Sequence, residues 1–196
     1  MITKSNITTV ILAGGRGRRM GGLDKGLMIF AGKPMIEHTL AAMKPQCQAI
    51  IINANRNIEH YTKYNHPVLS DDSNDFQGPL AGFAIALENA TTPLIVTVPC
   101  DAPIIPDDLV ERLLTALQKT DADIAVAHDG ERLQPVYALI KTDLSANLND
   151  FLSRGDRKID LWYAQNNMVL VDFSDIQHVF KNINTPDQQK MMDTSK

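Results

Sequence analysis

Four short apolar runs, at residues 8–12, 49–54, 94–98 and 124–127, are separated by stretches whose apolar residues recur at helical spacing. Runs this short suit strands covered on both faces, so the alternation predicts a parallel sheet flanked by helices. Helices are expected over 34–43, 80–90 and 107–118, the last with Pro106 and the aspartates Asp107 and Asp108 at its positive end. Asp129-Gly130 marks a turn before 136–140, which fits an antiparallel addition to the sheet. Residues 144–153, 158–165 and 168–171 repeat the helix and strand signals less clearly. The expected fold class is α/β: a three-layer, Rossmann-type architecture with a mostly parallel central sheet and helices on both faces. No repeat, low-complexity tract or linker interrupts it, and 196 residues fit one domain.

Composition narrows the function classes. An apolar fraction of 44% supports a sizeable core, and a net charge of −4 argues against broad nucleic-acid binding, which needs a basic face. An anionic ligand must then be met by local positive charge. Cys47 and Cys100 form neither metal-ligand spacing nor a disulfide framework, which fits a reducing cytoplasm. No run approaches the ~20 apolar residues of a membrane span. The run at 10–13 is too short for a signal-peptide core and is followed, not preceded, by Arg16, Arg18 and Arg19. The chain is therefore expected in the cytoplasm, without membrane or nucleic acid as partner. The histidines His38, His60, His66, His128 and His178 show no metal-ligand spacing and read as structural or surface residues.

In open α/β sheets ligands bind beyond the carboxyl ends of the strands, so the segments that follow strands carry the interest. The first reads Leu12-Ala13-Gly14-Gly15-Arg16-Gly17-Arg18-Arg19-Met20-Gly21-Gly22-Leu23-Asp24-Lys25. Its glycines let backbone amides approach a ligand closely, and four cations stand against one carboxylate, which suits a polyphosphate. It is neither a P-loop, since no Gly-Lys-Ser/Thr follows, nor the dinucleotide fingerprint. The second is Pro99-Cys100-Asp101-Ala102-Pro103, a carboxylate at a strand's mouth between two prolines. Such a group suits a hard cation such as Mg²⁺, with a helix N-cap as the structural alternative, a role for which Asp107 and Asp108 are the better candidates. Two further segments, Ser70-Asp71-Asp72 through Gly78-Pro79-Leu80-Ala81-Gly82 and Asn182-Ile183-Asn184-Thr185-Pro186, are individually ordinary turn and helix-entry chemistry.

Together, in this order, they resemble the molybdenum cofactor guanylyltransferases, relatives of the sugar-phosphate nucleotidyltransferases. The matching motifs are Leu12-Ala13-Gly14-Gly15, Arg19-Met20-Gly21-Gly22, Asp24-Lys25, Gly78-Pro79-Leu80-Ala81-Gly82, Pro99-Cys100-Asp101 and Asn182-Ile183-Asn184-Thr185-Pro186. Gln134-Pro135 and the basic segment 154–158 resemble the family less specifically. The resemblance implies a nucleotidyltransferase-like fold in which about residues 1–105 bind the nucleotide and about 106–196 the acceptor. It implies that Leu12, Ala13, Gly14, Gly15 and Lys25 hold the triphosphate, that Asn53 and Asp71 contact the nucleoside, and that the same 12–15 loop and Gly78, Pro79, Leu80 and Gly82 flank the base. Asp101 would bind magnesium, with Lys25 and Arg19 sharing its catalytic role. Arg19, Asn182, Asn184, Arg154 and Arg157 would receive the acceptor. Related cytidylyltransferases carry Leu-Ala-Ala-Gly in the first loop and lack Gly-Pro-Leu-Ala-Gly; this chain has the guanine-type form of both.

The implied reaction is attack by the terminal phosphate of molybdopterin on the α-phosphorus of GTP, with release of diphosphate. Molybdopterin-delivering proteins, and molybdoenzymes or their chaperones, are the implied protein partners. A dinucleotide-dependent dehydrogenase would share the layout but calls for an acidic residue near the end of its second strand, where Asn53 stands. A non-catalytic cofactor carrier, and a transferase using CTP or a sugar-phosphate acceptor, are the other readings. For Asn184 and Thr185 the alternative is capping of a helix beginning at Pro186.

Overall fold

The computed structural model describes residues 2–13, 23–70 and 78–180. A seven-stranded sheet forms its centre, in the order β5 (Val68–Leu69), β4 (Ala49–Asn53), β1 (Ile7–Leu12), β6 (Leu94–Pro99), β8 (Leu133–Lys141), β7 (Ile124–His128), β9 (Met168–Asp172). Only β8 runs against the rest. The antiparallel strand expected at 136–140 is therefore present, but it lies inside the sheet, and its pairing with β7 shifts register between Val126 and Ala127. A two-residue hairpin, β2 (Ile29–Phe30) and β3 (Lys33–Pro34), follows the first loop. Neither it nor β5 was legible in the sequence, because two-residue strands carry no periodicity.

Alternation along the central strands divides the core between two faces. Ile7, Ile11, Val96, Val98, Ala125 and Leu139 face α1 (Met35–Met43) and α4 (Leu109–Thr120). Val10, Ile95, Val126, Ala138 and Ile140 face α3 (Pro79–Asn89), α5 (Ser145–Ser153) and α6 (Ile159–Tyr163). The result is the expected three-layer α/β/α arrangement. A short helix, α2 (Ile58–Tyr61), follows β4 and buries Tyr61 completely.

α4 shows how burial fixes a helix that its own residues leave uncapped. Leu109, Val110, Leu113 and Leu117 are buried on one stripe, each worth roughly 1.5–3 kcal/mol against exposure. Asp108 occupies the N-cap position, yet its side chain accepts no capping bond and instead lies 3.8 Å from Arg112. The Val110 amide is satisfied from another element: Gln46 Oε1 accepts it at 3.1 Å, while Gln46 Nε2 donates to the Pro106 carbonyl at 2.9 Å. The expected aspartate cap is thus replaced by a glutamine that the fold brings from 64 residues away.

Candidate active site

Three parallel strands end at one level. Leu12 is in register with Asn53 of β4 on one side and Pro99 of β6 on the other. The ladder continues one residue further, with the Ala13 amide on the Asn53 carbonyl at 2.8 Å and the Cys100 amide on the Leu12 carbonyl at 3.1 Å. Beyond this edge stand Lys25 and Asp101, described residues of two of the matching motifs.

Asp101 follows β6 directly and does not cap a helix; it meets Lys25, whose Nζ donates to Asp101 Oδ2 at 2.8 Å. Both side chains are largely buried, with 25% of Lys25 and 14% of Asp101 exposed. Asp101 Oδ1 carries no hydrogen bond from the described residues. Cys100, beside them, is held as a neutral thiol well above its ordinary value of 9.0, first by burial and then by the carboxylates of Asp101 and Asp24. A neutral buried thiol is a poor nucleophile, so Cys100 serves packing. On the next strand, the buried Tyr137 hydroxyl has no hydrogen-bond partner among the described residues.

The segment 78–82 reaches the same edge. Gly78 has φ +80°, a conformation that favours glycine, and leads into α3 with Pro79 in its first turn. Leu80 is fully buried. Gly82 lies against both neighbouring strands: a Cβ there would stand 2.6 Å from Asn53 Oδ1 and 2.9 Å from Leu12 Cδ2. Asn53 itself is buried, its Nδ2 donating to the Leu69 carbonyl at 3.3 Å. Leu12, Ala13, Asn53 and Gly82 therefore gather at the strand ends from which Asp101 and its partner Lys25 extend, while Leu80 packs in the core beneath and Gly78 and Pro79 open the helix that carries Gly82.

Arg154 and Arg157 are engaged locally. Arg154 lies 3.6 Å from Asp150 and donates to Gln165 Oε1 at 3.3 Å, while Arg157 donates to the Leu152 and Asp156 carbonyls at 2.7 and 2.6 Å. Neither bonds to Lys25 or Asp101. Gly14, Gly15, Arg19, Asp71, Asn182 and Asn184 lie outside the described residues.

Sequence reading passed over one part of the neighbourhood. Asp24, counted there only as a charge and a motif position, accepts hydrogen bonds from Tyr61 Oη at 2.6 Å, Asn57 Nδ2 at 2.9 Å and the Gly26 amide at 3.2 Å, with Arg56 Nε 3.9 Å away. The three partner side chains sit on the segment after β4, which carries no motif. Its only available signal was its place after a strand.

The donors test the fit of magnesium. Among the described residues no three His, Cys, Asp or Glu side chains converge on a metal position. Mg²⁺ usually takes one or two protein carboxylates and fills its shell with water and phosphate oxygens. Asp101, whose Oδ1 takes no hydrogen bond from the described residues, fits an ion that arrives with a triphosphate; the other positions of the shell would be water and phosphate.

Residues 9–169 match the MobA-like NTP transferase domain. The molybdenum cofactor guanylyltransferase of Shewanella sediminis (strain HAW-EB3) is 48% identical over 186 residues, which cover 95% of each chain. Among solved structures, molybdopterin-guanine dinucleotide biosynthesis protein A from Archaeoglobus fulgidus aligns with a TM-score of 0.79 at 24% identity, over 95% of this chain and 96% of that one. The 2-C-methyl-D-erythritol 4-phosphate cytidylyltransferase of Thermus thermophilus aligns with a TM-score of 0.69 at 18% identity, over 94% and 96%. These two structural likenesses establish the fold, whereas the Shewanella relative shares nearly half its residues along almost the whole length. The chain belongs to the MobA-like NTP transferase family, and within it to the molybdenum cofactor guanylyltransferases.

Proposed function

We propose that this protein transfers GMP from GTP to the terminal phosphate of molybdopterin, forming the guanine dinucleotide and diphosphate. The reading is carried by the Lys25–Asp101 pair beyond the shared mouth of β1 and β6, strand ends against which the first turn of α3 also packs through Gly82. A phosphate monoester has a second pKa of about 6 and is largely dianionic at neutral pH, so attack needs no general base. A bond forms from the acceptor oxygen to the α-phosphorus, and the bond to the diphosphate oxygen breaks, its electron pair leaving with diphosphate. The protein's part is positioning and charge neutralisation. Lys25 opposes the charge of the triphosphate, and the α3 N-terminus adds amides and the positive end of an 11-residue helix. Asp101 holds magnesium, which when bound would neutralise phosphate charge. In this reading Leu12, Ala13, Gly14 and Gly15 hold the phosphates, Asn53 and Asp71 contact the nucleoside, and Gly78 to Gly82 flank the base.

The later half of the chain serves the acceptor in this reading, through Asn182, Asn184, Arg154 and Arg157, joined by Arg19 from the first loop. Asparagine amides offer both donors and acceptors to a polar pterin. Arg154 and Arg157 would exchange their present local partners for substrate oxygens. Molybdopterin-delivering proteins and molybdoenzymes or their chaperones are the partners on either side of the reaction. The free thiols Cys47 and Cys100 accord with a reducing cytoplasm.

The test is diphosphate release by purified protein given GTP, Mg²⁺ and molybdopterin. Equal use of CTP would remove the guanine assignment, and faster turnover with a sugar phosphate would remove the acceptor. Binding of both ligands with no diphosphate released would identify a carrier. On the acceptor side, Asn182→Asp and Asn184→Asp should impair molybdopterin binding and spare GTP binding; unchanged molybdopterin affinity rejects that assignment.

A further inference from the structure

Lys25 is presented by a single turn of 3₁₀ helix, Lys25–Leu27, which is too short to hold its own orientation. Its N-cap is Asp24, and the position of Asp24 is set almost entirely by side chains from after β4. Tyr61 Oη gives the shortest of these bonds, 2.6 Å to Oδ1, and Asn57 and Arg56 approach Oδ2. Arg56 also donates through Nη2 to the Leu23 carbonyl at 2.8 Å, fixing the residue before.

Tyr61 is also the floor beneath this turn. It is completely buried, and Gly26 rests on it so closely that a Cβ would stand 2.5 Å from Tyr61 Oη and 3.2 Å from Cys100 Sγ. The turn thus sits on Tyr61 from one strand end and on Cys100, the neighbour of Asp101, from another. Burial, together with the hydrogen bond to the Asp24 carboxylate and its negative charge, raises the Tyr61 hydroxyl above its ordinary value of 10.0, so it stays a donor. A donor of this kind engages Asp24 Oδ1 while Asn57 and Arg56 hold Oδ2, so the carboxylate that caps the Lys25 turn is fixed through both oxygens. Lys25 faces Asp101.

We infer that Tyr61 is a positioning residue of the transfer site, acting through Asp24 to aim Lys25 at Asp101. The inference rests on the catalytic reading of Lys25, yet its geometry is measurable without the reaction. No bond to substrate is assigned to Tyr61; it acts only on the orientation of the turn.

The experiment combines Tyr61→Phe, which removes one oxygen and keeps the floor, with Lys25→Ala in a double-mutant cycle. Tyr61→Phe should lower kcat about tenfold in the unaltered background and change it less than about twofold when Lys25 is already alanine. Equal fold-losses in both backgrounds, or no loss in the first, overturn the inference. A second readout uses ligand-free protein: acylation of Lys25 by an activated acetate ester, followed by mass spectrometry. Loosening the pair with Asp101 should raise that rate several-fold in Tyr61→Phe, with other lysines as internal references and thermal midpoints reporting fold. An unchanged Lys25 rate overturns the inference whatever the reaction, whereas absence of diphosphate release with an accelerated Lys25 rate removes only the proposed reaction.

Discussion

Lys25 and Asp101 form an ion pair 2.8 Å long between segments 76 residues apart, one leaving β1 and the other leaving β6. Both side chains are largely buried, so the cost of taking the charges out of water offsets their attraction and the pair is weak evidence for stability. On the proposed reading its weight is functional: a cation and a carboxylate are held at one point, where an incoming polyphosphate and its metal would each replace one partner of the pair.

Asp101→Asn should therefore separate stability from turnover. The change is nearly isosteric, so a thermal midpoint within a few degrees of the unaltered protein is expected. Diphosphate release should fall by about 10²–10³, the usual loss when a charge aligned with the transition state is removed. Turnover near the original rate would take Asp101 out of the mechanism.

Gly82→Ala tests the close approach of α3 to the strand ends. The new methyl would meet Asn53 Oδ1 at 2.6 Å and Leu12 Cδ2 at 2.9 Å, distances that force one of them to move. Overpacking of this sort costs about 1–3 kcal/mol, and displacement of Leu12 and Asn53 should raise the KM for GTP. Denaturant midpoints and GTP kinetics check the two parts separately. An alanine variant with the original stability and KM would show that the segment yields freely.

Tyr137→Phe should behave in the opposite way. The hydroxyl it removes is buried and has no partner among the described residues. A buried unsatisfied polar group costs about 1–3 kcal/mol, so its removal should leave the unfolding free energy unchanged or raise it. A clear loss in urea unfolding would reveal a partner bonded in solution.

Stability should decline on the alkaline side. Burial raises the thiols of Cys47 and Cys100 above 9.0 and the phenols of Tyr61, Tyr64, Tyr137 and Tyr163 above 10.0. Each such group favours folding fully below its unfolded value and loses that contribution as pH rises, because the unfolded chain releases the proton first. The urea midpoint should fall from about pH 9 upward. His66 works on the acid side: burial, then Lys44, lowers it below 6.5, so its contribution is present above that pH and fades below it. A midpoint constant from pH 8 to 10.5 would contradict the alkaline part.

Much of this arrangement was legible in the sequence, for identifiable reasons. Apolar runs shorter than a helix gave β1, β4, β6 and β7, and each of them carries its signal locally. The mostly parallel order followed from the helices between them. Lys25, Asp101 and Gly82 were legible as members of motifs placed after strands, and the fold brings these motifs to one edge.

What the chain order could not express is pairing between distant segments. β8 entered the sheet between β6 and β7 because both of its faces are apolar enough to be covered, a property of the assembled layers. Gln46 took the cap expected of Asp108, since the α4 amides face a buried glutamine from the end of the preceding face helix. Tyr61 and Asn57 came to Asp24 only because parallel pairing of β1 with β4 puts the segments after both strands side by side. The sequence by itself determined which elements form and which residue types stand at their ends, because periodicity, glycine and proline act within a few residues. Tertiary structure decided which of those ends meet, because hydrogen bonds and ion pairs depend on distances of about 3 Å that chain separation does not specify.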